Sequence, residues 1–168
     1  MKISDSYSYP GADLGCVFAM LTNRDFQRLK CEATLALSYT VDISGEPGAP
    51  VVSTRRRLPT DRLPDFVRAM VRDGIEIIET ITWEAAGADG RREAAVALSF
   101  PGQPIRMTGT LELRSEDGGT LGALVADLRA AVPLVGGRIE KATAPLISQA
   151  MAIEERVGQE WLKKLDSS

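Results

Sequence analysis

The sequence predicts an α+β domain in which a curved, seven-stranded antiparallel sheet wraps around one long C-terminal helix. Three observations carry this expectation. Apolar and polar residues alternate through several successive runs between residues 35 and 132, the period of strands with one buried face. Clusters of Gly, Pro and Asp separate those runs, as turns require. After Pro133 the apolar residues step by three or four to the end of the chain, the spacing of a helix with one buried stripe.

Taken in order, Lys2 to Tyr9 forms a first strand, stopped by Pro10-Gly11. Leu14, Val17, Phe18 and Leu21 then recur at helical spacing, and Thr22-Asn23 punctuates before a second short helix with Phe26 and Leu29 inward. These are the two short helices after strand one. From Thr34 the period changes to two: Leu35, Leu37, Tyr39, Val41 and Ile43 share one face of strand two. Gly45-Glu46-Pro47-Gly48 turns the chain into strand three, Val51 to Leu58.

The connection from Pro59 to Gly74 is too long for a hairpin. Pro64 suits a first helical turn, and Phe66, Met70 and Val71 supply an apolar stripe, so a short helix is expected there. Strand four, Ile75 to Trp83, aligns Ile75, Ile77, Ile81 and Trp83. Strand five aligns Ala94, Val96, Leu98 and Phe100, and strand six Ile105, Met107, Leu111 and Leu113. Glu116-Asp117-Gly118-Gly119 leads into strand seven, Thr120 to Val132. The last helix, from about Gly137 to Leu165, places Ile139, Leu146, Ala150, Ile153, Val157 and Trp161 on one stripe, with Pro145 inside it as an expected kink. A meander with one apolar face needs a cover, and only this helix is long enough. A sheet and one helix leave space between them, so a cavity is expected.

Composition narrows the function classes. The chain has 168 residues, 44% hydrophobic and 26% charged, enough for one domain over residues 1–168 with a full core. Twenty Lys and Arg against 23 Asp and Glu give a net charge of -3, and no basic block marks a nucleic-acid partner. There is no histidine, which excludes a Ser-His-Asp triad and every histidine metal site. No cofactor or metal is expected. Neither a signal-peptide apolar run nor a membrane span is present, because Asp127 and Arg129 interrupt the most apolar stretch. Cys16 and Cys31 form no CxxC, fall in helical segments, and are expected as buried free thiols. A cytoplasmic address follows.

The element order resembles the helix-grip superfamily that includes START lipid-transfer domains, birch-pollen-allergen-like proteins and polyketide cyclases (SRPBCC). It is similar, more narrowly, to an actinobacterial branch filed as a domain of unknown function. The residues that carry this are Val17-Phe18-Ala19-Met20-Leu21-Thr22, Arg56-Arg57-Leu58-Pro59-Thr60, Leu63-Pro64-Asp65-Phe66, and Pro133-Leu134-Val135-Gly136-Gly137-Arg138-Ile139-Glu140-Lys141. The resemblance implies a helix-grip fold and an apolar cavity. It implies no reaction, because the superfamily spans carriers, receptors and cyclases.

Two polar residues interrupt apolar faces. Glu79 shares a parity with Ile77 and Ile81, and Arg56 with Val52 and Leu58, on strands expected to be neighbours. Either both point inward as an ion pair, or a bulge turns them to water. Tyr39 could add an inward hydroxyl, and Trp83, Phe100 and Met107 an apolar wall. These six residues are the candidate ligand contacts. Gly136-Gly137 could bind an anion at a helix N-terminus or merely allow a tight turn. Gly109, Gly122, Ala126 and Ala130 could leave room for a ligand or permit close packing.

Three functions compete. The leading expectation is binding or transport of a small hydrophobic ligand, such as a lipid, isoprenoid or polyketide, by a monomer or homodimer. A cyclase or dehydratase using Glu79, Tyr39 and Arg56 is the alternative. A protein-partner-binding module is the third.

Overall fold

The computed structural model describes residues 1–71 and 74–167. The chain runs β1 (Lys2–Tyr9), α1 (Leu14–Leu21), α2 (Arg24–Ala33), β2 (Ser38–Glu46), β3 (Ala49–Leu58), α3 (Asp65–Arg68), β4 (Ile75–Trp83), β5 (Arg92–Ser99), β6 (Ile105–Glu116), β7 (Gly119–Ala130) and α4 (Gly136–Asp166). All seven strands form one sheet in the order β1-β7-β6-β5-β4-β3-β2, antiparallel at every pairing. Everything from β2 to β7 is a meander. β1 breaks sequence order by pairing with β7, so β1 and β2 form the two edges.

Local chemistry explains the boundaries. The Asp13 carboxylate accepts from the Cys16 amide at 2.8 Å and starts α1, and the Asn23 side chain accepts from the Asp25 and Phe26 amides to start α2. Between Glu116 and Gly119 only Asp117 and Gly118 turn the chain, both at positive φ, the conformation that matches strand twist in a two-residue hairpin. Of the Pro59–Gly74 connection, a four-residue α3 is formed, and residues 72–73 lie outside the described set.

Strand two begins later than its alternation suggests. Helix α2 extends to Ala33, and Leu35 takes a left-handed φ of 60° just beyond the Thr34 cap. Leu35 and Leu37 therefore precede the strand and stand 59% and 64% exposed. Helix α2 itself buries Phe26, Gln27, Lys30 and Cys31, while Leu29 is 43% exposed. Leu29 was expected inward, yet the buried stripe is set by positions i, i+1, i+4 and i+5 from Phe26. Cys16 is also a correction: both thiols are free, but only Cys31 is buried and Cys16 is exposed.

Helix α4 runs unbroken through Pro145 for 31 residues and packs on β1, β7 and α2. Its C-terminal half is tightly seated. A Cβ on Gly158 would stand 2.6 Å from the Tyr9 ring and 2.9 Å from Met20, so glycine alone permits this approach. Trp161 meets Phe26 edge-on at 5.8 Å, and Phe18 meets Trp83 likewise at 5.2 Å. The small residues of the sheet serve the same end. Gly122 makes way for the Tyr7 ring, Gly109 for Ala126 and the β7 backbone, and Gly136 for the Ala130 carbonyl. Close packing, rather than ligand space, accounts for them.

Candidate functional site

Between the N-terminal half of α4 and strands β3 to β6 the packing opens into a cavity of about 230 Å³. Its walls are aliphatic: Ile75, Ile77 and Ile81 from β4, Leu98 from β5, Met107 and Leu111 from β6, and Leu146, Ile147 and Ile153 from α4. Thr34 and Leu35 after α2, and Pro59, Arg62 and Leu63 before α3, line it as well.

A row of four alternating charges also lines the cavity. Lys30 Nζ donates to Glu79 Oε1 at 2.7 Å and lies 3.0 Å from Glu154 Oε2. Glu79 Oε2 in turn stands 3.8 Å from the Arg56 guanidinium. The order is Glu154, Lys30, Glu79, Arg56, which ties α4 to α2, then to β4 and β3. Lys30 and Arg56 are only 3% and 4% exposed. Burial by itself would raise the Glu79 carboxyl, but the Lys30 ammonium and the Arg56 guanidinium outweigh it and hold it at about 2. The same two carboxylates outweigh burial at Lys30 and raise its ammonium above the usual lysine value. Glu79 is an ionised carboxylate near neutral pH.

Among the buried side-chain donors without a partner, which also include those of Tyr9, Thr54 and Trp83 elsewhere in the core, two belong to cavity residues. Arg56 Nε and the Tyr7 hydroxyl are buried with no hydrogen-bond partner among the described residues, and both residues line the cavity. Burial, then Glu154, Tyr9 and Glu79, push the Tyr7 phenol well above its ordinary value, so it stays a neutral hydroxyl. An orphaned buried donor costs about 1–3 kcal/mol, and a cavity ligand or water is the natural acceptor.

Of the six candidate contacts read from the sequence, Arg56, Glu79, Phe100 and Met107 line this cavity. Arg56 and Glu79 do come within ion-pair range, though not as direct cross-strand partners. Thr54 stands opposite Glu79 and Ile77 opposite Arg56, so the pair is diagonal. Tyr39 and Trp83 lie elsewhere. Tyr39 is drawn to the edge by Glu32, which accepts its hydroxyl at 2.6 Å. Trp83 is at the opposite end of its strand, edge-on to Phe18 where α1 meets the sheet. Lys30 and Glu154, on helices, are polar site residues that strand parity does not reveal, whereas Tyr7 shares the buried parity of Ile3 and Tyr9 on β1. The available signal for Lys30 was an ammonium four residues after Phe26 and beside Cys31, on the buried stripe of α2.

An antiparallel sheet packed on one long helix, with a cavity between them, is the helix-grip fold. The Zhui aromatase/cyclase from Streptomyces sp. R1128 superimposes with a TM-score of 0.62 at 8% identity, covering 98% of this chain and 94% of that one. Human STARD10 superimposes with a TM-score of 0.59 at 13% identity, covering 97% of this chain and 66% of that one. At such identities the likeness is one of fold. Residues 5–162 match the family described as "Protein of unknown function (DUF2505)", and the chain belongs to that family. An uncharacterized protein of Mycobacterium tuberculosis is 27% identical over 121 residues, 71% of this chain and 69% of the relative. No helix among the described residues is long and apolar enough to cross a membrane.

Proposed function

We propose that the protein binds a small, mainly apolar ligand in this cavity, with one polar group of the ligand turned to the Arg56–Glu79 end. The observation that carries the reading is the pairing of an aliphatic cavity with two buried, unpartnered donors, Arg56 Nε and the Tyr7 hydroxyl. Apolar walls with a few convergent polar groups describe ligand sites generally. At about 230 Å³ the space suits a single chain or a small ring system rather than a bulky lipid. Arg56, Glu79, Phe100 and Met107 are ligand contacts in this reading, joined by Tyr7, Lys30 and Glu154.

Binding accounts for the site better than cyclase chemistry does. A carboxyl acting as general acid needs its pKa raised towards neutrality, whereas Glu79 is held at about 2 by Lys30 and Arg56. Tyr39, the other candidate for that chemistry, is occupied by Glu32 away from the cavity. Denaturing the purified protein, extracting it into organic solvent and analysing the extract by mass spectrometry tests the proposal. One stoichiometric small molecule is expected. An empty extract, together with no binding of any added apolar compound, would overturn it.

A further inference from the structure

The cavity is not electrically closed. The inner row is balanced, Lys30 and Arg56 against Glu79 and Glu154, and the exposed Arg62 at the rim makes the charged lining three positive against two negative. The surplus is also unevenly placed. Lys30 sits between two carboxylates, at 2.7 Å and 3.0 Å, whereas Arg56 reaches one at 3.8 Å. Its Nε is buried without a partner among the described residues. The cation that lies deepest in want of a partner is thus the one on β3, and Arg62 adds a second guanidinium from the connection just after that strand.

We infer that the ligand is a single-chain aliphatic carboxylic acid, its carboxylate seated on the Arg56 guanidinium and its chain lying among Ile77, Leu98, Met107 and Ile147. This rests on the binding function proposed above and names the ligand class. The planar guanidinium fork matches a carboxylate, which can take two parallel N–H donors. A monoanion cancels the formal surplus, while a phosphate monoester, with a charge of about -1.5 to -2, exceeds it. A neutral alcohol leaves Arg56 under-compensated, and an amine adds a fourth positive charge. The neutral Tyr7 hydroxyl supplies a further donor suited to a ligand oxygen. The apolar part of the lining is aliphatic apart from Phe100 and Tyr7, so a flexible chain fits it better than a flat aromatic system.

Calorimetric titration of the full-length protein with decanoate, decanol, decylamine and decyl phosphate, near neutral pH, tests the head group with the tail held constant. Decanoate is expected to bind about tenfold or more tightly than decanol, the increment of a charge-assisted hydrogen bond, and decylamine most weakly. Arg56→Gln should bring decanoate and decanol to equal affinity, and Arg56→Lys should keep part of the preference. If thermal melting shows that Arg56→Gln does not fold, the head-group series on the unaltered protein decides alone. Equal binding of decanoate and decanol overturns the carboxylate assignment and leaves apolar binding standing. Tighter binding of decyl phosphate than decanoate overturns it in favour of a phosphate. Binding of none of the four, with an empty extract, removes both readings.

Discussion

The two halves of α4 face the same sheet and do opposite things. From Val157 onward the helix is seated on Tyr9, Met20 and Phe26, with Gly158 allowing near-contact. From Thr143 to Glu154 it overhangs a cavity. Gly158 apart, the difference does not come from the helix, which is apolar on one stripe throughout. It comes from what stands between helix and sheet. At one end α1 and α2 insert Val17, Phe18, Met20, Leu21 and Phe26, all buried. At the other, the inserted helix among the described residues is the four-residue α3 with Val67. This molecule is thus solid where its inserted helices fill the gap and hollow where they do not.

Ending the chain before Ala150 breaks this contrast most severely. It deletes Ile153, Val157 and Trp161, apolar side chains worth about 1.5–3 kcal/mol each when fully buried, from a total stability of about 5–15 kcal/mol. Loss of a cooperative melt by circular dichroism is expected. A truncated chain melting near the full-length temperature would show that the solid half does not hold the fold.

Next in size is Lys30→Met, which strikes the seam between the halves. It leaves the half-buried Glu79 and Glu154 beside each other without their shared cation, at a cost below the about 3–5 kcal/mol of a fully buried pair, read by urea unfolding. The pH dependence has a definite sign. Glu79 is depressed from 4.5 to about 2, so its contribution is present above about 4.5 and is lost as pH falls from there towards 2. Lys30→Met should flatten the loss of stability across that acid window. An unchanged acid profile would remove Lys30 as the source of the depression.

Gly158→Val and Ala150→Leu compare the halves directly. The first forces a side chain into Tyr9 and Met20 and should cost about 1–3 kcal/mol. The second points into the cavity and should cost under about 1.5 kcal/mol, a typical hydrophobic volume change with room to take it, while weakening ligand binding. Similar destabilisation by both, measured by urea unfolding, would mean that the cavity end is as rigidly packed as the other.

The smallest effect concerns the thiols. Titration of the native protein should label one equivalent slowly, at exposed Cys16, whose hydrogen bond to Asp13 raises its pKa. A second equivalent, from buried Cys31, should require denaturant. Two equivalents labelled without denaturant would show that α2 opens readily from the sheet.

Strand parity made the fold and half of the polar cluster readable. The sequence of each strand sets one apolar face, so an intruding Arg56 or Glu79 stands out against Val52 or Ile77. Lys30 and Glu154 lie on helices, where a buried stripe has soft edges and a long charged side chain is as common at its border as in water. Which of them turns inward depends on the charges already inside, and that depends on the tertiary pairing. Tyr39 shows the converse. Its parity is inward, yet Glu32, from a neighbouring helix whose exact placement no strand pattern specifies, draws its hydroxyl to the rim. The late start of β2 was hidden because alternation at Leu35 and Leu37 continues across a helix cap.

The pairing of β1 with β7 sets a schedule for folding. Lys2 lies against Asp127 and Tyr9 against Thr120, so the first strand made waits for nearly the last. Until then it has no ladder partner, while the meander from β2 onward can zip up hairpin by hairpin. Contacts this distant along the chain slow folding, because loop closure must precede any gain from pairing. During synthesis Tyr7 and Tyr9 are therefore exposed until β7 emerges, and the cavity wall that Tyr7 helps to complete forms among the last parts of the molecule.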